Sequence, residues 1–154
     1  MCEKYETDVN EIIPNLWLGN YKAAYDKSFL QKYNIKYILT IMEDFNIKYK
    51  YDTITYLNIP VKDKDTCVKN LIQLFNTTGE FINNALMKRT GVLIHCKKGH
   101  HRSASVVAAF LIKYLNIDHV SAVLYINYLR PCALKRNTCM TNGLFRYYQH
   151  INNC

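Results

Sequence analysis

The sequence predicts an α/β fold, a central, mostly parallel twisted sheet flanked by helices, and three observations carry that expectation. Short apolar, β-branched runs alternate with longer stretches of helical apolar spacing, the order that builds parallel strands with covering helices. One such unit, over 92–115, joins an apolar strand to an apolar helix through a loop that opens on Cys96 and closes on Arg102. The 154 residues hold only five glycines and three prolines, with no repeat or low-complexity linker to divide them. A single domain over 11–154, preceded by a short N-terminal extension over 1–10, is the expected organisation.

Taken in order, Ile12, Ile13, Leu16 and Leu18 flank Pro14-Asn15 and read as two short strands around a turn, closed by Gly19-Asn20. Tyr21 to Lys32 is predicted helical, with Ala23, Ala24 and Leu30 available for burial. Tyr37 to Ile41 is a buried strand, and Thr55 to Val61 alternates as another, with Pro60 marking its exit. Leu71, Ile72, Leu74, Phe75, Phe81, Ile82 and Leu86 recur at near-helical spacing, so 67–89 is predicted as a long amphipathic helix. Gly79 interrupts it at modest cost. Gly91 leads into the short strand Val92 to His95, and Ser103 to Leu115 is a strongly apolar helix. Asp118 can cap a further helix through Arg130, and Thr138 or Thr141 a last one into Tyr148.

Composition excludes several classes. With 49% apolar and 13% aromatic residues, the chain can build a core that a disordered segment cannot. The longest apolar run, Val106 to Ile112, falls far short of the roughly 18 residues of a membrane span. The N-terminal MCEKYETDVNE lacks the apolar region of a signal peptide. A cytoplasmic or otherwise intracellular protein is expected. The abundance of Asn, Ile, Lys and Tyr matches AT-rich codon usage, as in some parasites and large DNA viruses, where a virion location would be an option. The net charge of +8 reads either as a solvated basic surface or as a field that gathers anionic substrates. No nucleic-acid motif with regularly placed stacking aromatics accompanies it. The six cysteines, at 2, 67, 96, 132, 139 and 154, form no CxxC pair. A structural zinc site therefore has no starting point, and the thiols are expected to be reduced.

The densest information lies in Val92-Leu-Ile-His-Cys96-Lys-Lys-Gly-His-His-Arg102-Ser-Ala-Ser. A loop wrapped between a strand and a helix N-terminus turns successive N–H groups inward and makes an anion cradle. Arg102 can close the cradle with a planar fork matched to phosphate oxygens. Cys96 lies at its base, where helix dipole and N–H donors favour a thiolate. A nucleophile facing phosphorus with donors around the oxygens is what phosphoryl transfer to sulfur needs.

The run HCKKGHHRS resembles the HCxxGxxRS signature of the cysteine-dependent protein tyrosine phosphatases. The flanks are similar to the dual-specificity branch: Ile12-Ile-Pro-Asn-Leu-Trp-Leu-Gly-Asn20 to its opening strand motif, and Tyr33 to Thr40 to its second strand. Tyr56 to Asp63 resembles the strand leading to its general-acid loop, and Asn142-Gly-Leu-Phe145 its late Asn-x-x-Phe element. The resemblance implies a phosphatase-type sheet with the phosphate-binding loop Cys96, Lys97, Lys98, Gly99, His100, His101, Arg102. It implies that Cys96 forms a phosphocysteine, that Arg102 binds the phosphoryl oxygens, and that Ser103 hydrogen-bonds the sulfur. Asp63 would be the general acid, with Asp65 as the alternative two residues on; His95 would hold the loop, and Asn142 would support the site. Neither metal nor other cofactor is implied.

Two features depart from the family pattern. Lys97, Lys98, His100 and His101 make the loop unusually basic, and their side chains are expected to rim the pocket. Arg130 and Asn142 stand far apart, so Pro131 to Thr141 is expected to form an enlarged loop beside the site; either Cys132 or Cys139 in it could protect Cys96 by a reversible disulfide, but exposure by chance is the better explanation. The leading expectation is a monomeric protein phosphatase acting on phosphotyrosine and on phosphoserine or phosphothreonine, because 154 residues leave little material to deepen the pocket for tyrosine alone. Phosphoinositide or RNA 5′-triphosphate hydrolysis by the same loop is the alternative, and a non-catalytic phosphoprotein-binding module a third. The remainder is other Cys-x5-Arg chemistry, such as arsenate reduction or sulfur transfer.

Overall fold

Five strands, β1 (Val9–Ile13), β2 (Leu16–Gly19), β3 (Ile35–Ile41), β4 (Thr55–Ile59) and β5 (Gly91–His95), form one sheet in the order β1-β2-β5-β3-β4. The structure, a computed structural model, describes residues 6–43, 45–47, 50–62 and 70–153. β1 and β2 form an antiparallel hairpin, while β2–β5, β5–β3 and β3–β4 are all parallel. The mostly parallel sheet expected from the strand–helix alternation is thus present. The central strand β5 is buried at every residue, as a strand covered on both faces should be.

Alternation along β5 divides the core. Val92 and Ile94 join the larger cluster, under α2 (Leu71–Met87), α3 (Arg102–Tyr114), α4 (His119–Leu129) and α5 (Cys139–Ile151). Leu93 points to the opposite face, where Trp17, Phe29, Leu30 and Ile38 form a smaller cluster. α3 is the spine of the helical layer and is buried without a break from Arg102 to Ile112. Gly79 lets α2 approach it, since a Cβ there would stand 3.0 Å from the Tyr114 ring.

Several boundaries moved for local reasons. The helix predicted over Tyr21 to Lys32 is split into a 3-10 turn, Ala23–Tyr25, and α1 (Lys27–Lys32). Asp26 causes the break: its backbone is extended, and its side chain accepts from the Phe29 N–H as an N-cap. α2 ends at Met87, and Asn70 before it takes a left-handed conformation; residues 67–69 of the predicted helix lie outside the described residues. Thr138, not Thr141, caps α5; the two threonines exchange bonds in a capping box. Helix therefore absorbs Cys139 to Thr141, and the connection after α4 is shorter than the 131–141 loop expected from sequence. No described helix is long and apolar enough to cross a membrane.

Candidate active site

The turn from β5 into α3 places Cys96 one residue past the strand and Arg102 at the first residue of the helix. Every carbonyl of the intervening loop is held by a donor outside the cradle. Lys97 O accepts from Tyr21 N at 3.3 Å, His100 O from Leu134 N at 2.8 Å, and His101 O from Ser105 N at 2.8 Å. Lys98 O and Gly99 O both accept from Arg130, through Nη2 and Nε, each at 2.9 Å. In a trans peptide the N–H points opposite to the C=O, so outward carbonyls at 97–101 turn the N–H groups of 98–102 the other way. Gly99 N illustrates the result, donating to Cys96 Sγ at 3.2 Å.

Gly99 has φ +71°, and a Cβ there would lie 2.4 Å from Gly19 O and 3.0 Å from the Arg130 guanidinium. Only glycine fits between the end of β2 and that arginine.

Cys96 is 2% exposed, and its sulfur also lies 3.1 Å from Ser103 Oγ. His95 is fully buried, with Nδ1 3.3 Å from Cys96 O and Nε2 2.7 Å from Thr40 Oγ1. A carbonyl can only accept, so Nδ1 carries the proton and Nε2 accepts from the threonine hydroxyl. Burial lowers the His95 pKa to about 4, against the opposing pull of the Cys96 carbonyl bond. His95 is therefore a neutral strut at neutral pH.

Arg102 Nη1 donates to Val61 O at 2.8 Å, while its buried Nε has no hydrogen-bond partner among the described residues. Asp63 and Asp65 lie outside the described residues. The chain two residues before Asp63 nevertheless runs beside the loop, because Val61 is the residue that Arg102 grips.

Other expected site residues stand elsewhere. His100 does not rim the pocket: its Nε2 turns back to Glu6 Oε2 at 2.6 Å, and the side chain is only 10% exposed. The Glu6 carboxylate behind the loop draws the ring to that side. Lys97 and Lys98 are exposed. Asn142 sits on α5 and lines a cleft of about 730 Å³ with Asn70, Gln73, Asn137 and Arg146; the bracing from this part of the chain comes from Arg130 and Leu134. The expectation of reduced thiols is corrected at two positions: Cys132 and Cys139 are disulfide-bonded and 4% and 8% exposed. Neither is a thiol available to Cys96, which is free and buried. The sulfur of Cys132 lies within 4.8 Å of the ligand atoms of Glu6 and His100. With that sulfur committed to a disulfide and Arg130 beside the carboxylate, the group reads as an ion-pair cluster and not as a metal site.

Sequence reasoning missed Arg130 as a site residue. It is fully buried, and its Nη1 also reaches Thr7 O at 2.9 Å and Asn10 Oδ1 at 2.8 Å. Burial lowers its pKa from the ordinary arginine value, opposed by the negative charges of Glu6, Cys96 and Asp8. Its one sequence signal was a lone cation at the end of a nearly uncharged helix.

Comparison with known proteins agrees with this geometry. Residues 16–150 match the family model of the dual specificity phosphatase catalytic domain. Dual specificity protein phosphatase 22-B from Danio rerio is 35% identical over 136 residues, covering 88% of this chain and 72% of that protein. The chain spans between 58% and 72% of the length of the four curated relatives compared. The human tyrosine phosphatase-like serine/threonine/tyrosine-interacting protein superposes with a TM-score of 0.83 at 29% identity, over 95% of this chain and 98% of that one. Human DUSP28 shares the fold, with a TM-score of 0.86 at 20% identity over 95% of this chain and 96% of that one.

The chain belongs to the dual specificity phosphatase family. Its enzyme class is that of the protein phosphatases, hydrolases of phosphoric monoesters.

Proposed function

We propose that this chain hydrolyses phosphotyrosine and phosphoserine or phosphothreonine esters through a phosphocysteine formed at Cys96. One observation carries the reading: Cys96 Sγ receives Gly99 N–H and neighbours Ser103 Oγ at the base of a loop whose carbonyls all face away. In the first step the thiolate attacks phosphorus, the P–O bond to the substrate breaks, and Asp63 gives its proton to the departing oxygen. In the second, water attacks the phosphocysteine, Asp63 takes the water proton, and the P–S bond breaks with Ser103 hydrogen-bonding the departing sulfur. Arg102 and the inward N–H groups hold the charge on the equatorial oxygens throughout. Asp63 is supported by its sequence position two residues past the Arg102–Val61 contact.

The buried, Glu6-paired His100 weakens the case for a polyanionic substrate, because it removes one of the four basic side chains from the rim. The proposal extends to a monomer acting inside the cell on phosphorylated protein, without a nucleic-acid partner. The test is one panel under one set of conditions: phosphotyrosine peptide, phosphothreonine peptide, phosphoinositide and triphosphate RNA. Turnover of both peptides above the lipid and the RNA is expected; the reverse order would replace the substrate class.

A further inference from the structure

Behind the loop lies a cluster that the hydrolysis itself does not use. Glu6 Oε2 is 2.6 Å from His100 Nε2 and 3.6 Å from Arg130 Nη2, and the Glu6 side chain is only 11% exposed. The backbone around Glu6 is tied down separately. Thr7 O accepts from Arg130, and Asp8 accepts from Asn20 at the end of β2 through both its carbonyl and its side chain. The segment leading into β1 therefore presents its carboxylate to the Arg130 guanidinium and the His100 ring at once.

These two groups control the loop. Arg130 holds the carbonyls of Lys98 and Gly99, and His100 belongs to the loop itself, with its own carbonyl held by Leu134. Without Glu6, the wholly buried Arg130 would keep carbonyl partners but lose its nearest anion, and a buried charge without a counter-charge draws in water or moves. His100 would lose the acceptor that keeps its ring behind the loop. The hydrogen bond needs only an N–H on Nε2, which imidazolium and one neutral tautomer both supply.

We propose that Glu6 is a positioning residue for phosphoryl transfer, a latch that holds His100 and Arg130 so that the loop carbonyls stay turned away and its N–H groups stay on sulfur and phosphoryl oxygens. The kinetic test rests on the phosphatase reading above, whereas the binding test does not.

The kinetic test compares Glu6→Gln, His100→Gln and the double variant on an aryl phosphate. Each single change is expected to lower kcat/KM roughly 10- to 100-fold, the scale of a small misplacement of reacting groups. The double variant should be no worse than the poorer single, because His100→Gln acts on a contact that Glu6→Gln has already weakened. In the binding test, calorimetry measures inorganic phosphate affinity in a Cys96→Ser background with and without Glu6→Gln. An affinity at least about fivefold weaker, with an unchanged circular dichroism spectrum, is expected. If Glu6→Gln folds poorly, Glu6→Asp keeps the charge and shortens the reach, and should lose less affinity while staying folded. Affinity and kcat/KM within about twofold of the parent, or single effects that simply multiply, would overturn the latch. A wild type that binds phosphate and turns over no ester would sink the phosphatase reading and leave the latch to be decided by binding alone.

Discussion

Arg102 and Arg130 lie on opposite faces of one loop, and the contrast between them separates chemistry from scaffolding. Both are buried, and both stand at a helix terminus, Arg102 at the start of α3 and Arg130 just past the end of α4. Arg130 spends its donors on Lys98 O, Gly99 O, Thr7 O and Asn10 Oδ1. Among the described residues, Arg102 bonds Val61 O and keeps a buried Nε without a partner. A buried donor left unmade is costly, and a site that binds an anion is a place where that cost is recovered. The same residue type is thus a brace where its donors are used up, and under the proposed function an anion ligand where they are not.

The largest effects should come from the front face. Cys96→Ser should abolish turnover and leave phosphate binding in place, and Arg102→Lys should cost roughly 10²–10³ in kcat, since a point charge cannot replace the planar fork. Both variants should melt close to the wild type; substantial residual hydrolysis in Cys96→Ser would remove Cys96 from the mechanism. Asp63→Asn should slow substrates with poor leaving groups by roughly 10²–10⁴ and spare those whose leaving group is already a stable anion. A large loss in Asp65→Asn instead would move the general acid by two residues.

The back face should respond differently. Arg130→Met leaves Lys98 O, Gly99 O and the Glu6 carboxylate without their cation, so stability should fall by roughly 3–5 kcal/mol along with activity. A variant that loses activity while melting like the wild type would place Arg130 on the catalytic side and break the comparison.

His95 gives a pH test of the support beneath Cys96. Its folded pKa of about 4 lies below the ordinary histidine value. Between the two values the unfolded chain binds the proton more readily, so the stabilisation is complete above the ordinary value and is lost as pH falls through that window toward 4. The loss amounts to roughly 3 kcal/mol at its limit. Chemical denaturation as a function of pH should show a shallower decline for His95→Asn; parallel curves would mean that His95 titrates normally.

The smallest effect is expected at the exposed rim. Lys97→Ala with Lys98→Ala should change peptide turnover by the equivalent of about 0.2–1 kcal/mol, as for exposed ion pairs. A loss beyond about a hundredfold confined to phosphoinositide would reopen the lipid reading.

Periodicity and spacing were sufficient for the individual strands, for the apolar helix α3 and for the Cys96-to-Arg102 loop, because each depends on residues close together in the chain. Asp26 shows a limit even of local reading, since one capping side chain divided a stretch whose apolar positions suit a single helix. Thr138 and Thr141 both suit a cap, and only the folded chain chose between them. The rest was decided by contacts across the chain. Glu6 meets His100 across 94 positions, Arg130 meets Gly99 across 31, and Thr40 meets His95 across 55. No periodicity encodes such pairings. The sequence by itself determined that a cysteine and an arginine bracket a strand-to-helix loop suited to an anion; which of its basic groups are exposed and which hold the loop from behind was settled by the packing of β1, β2 and the end of α4 around that loop, because a buried charge is stable only where distant parts of the chain bring it a partner.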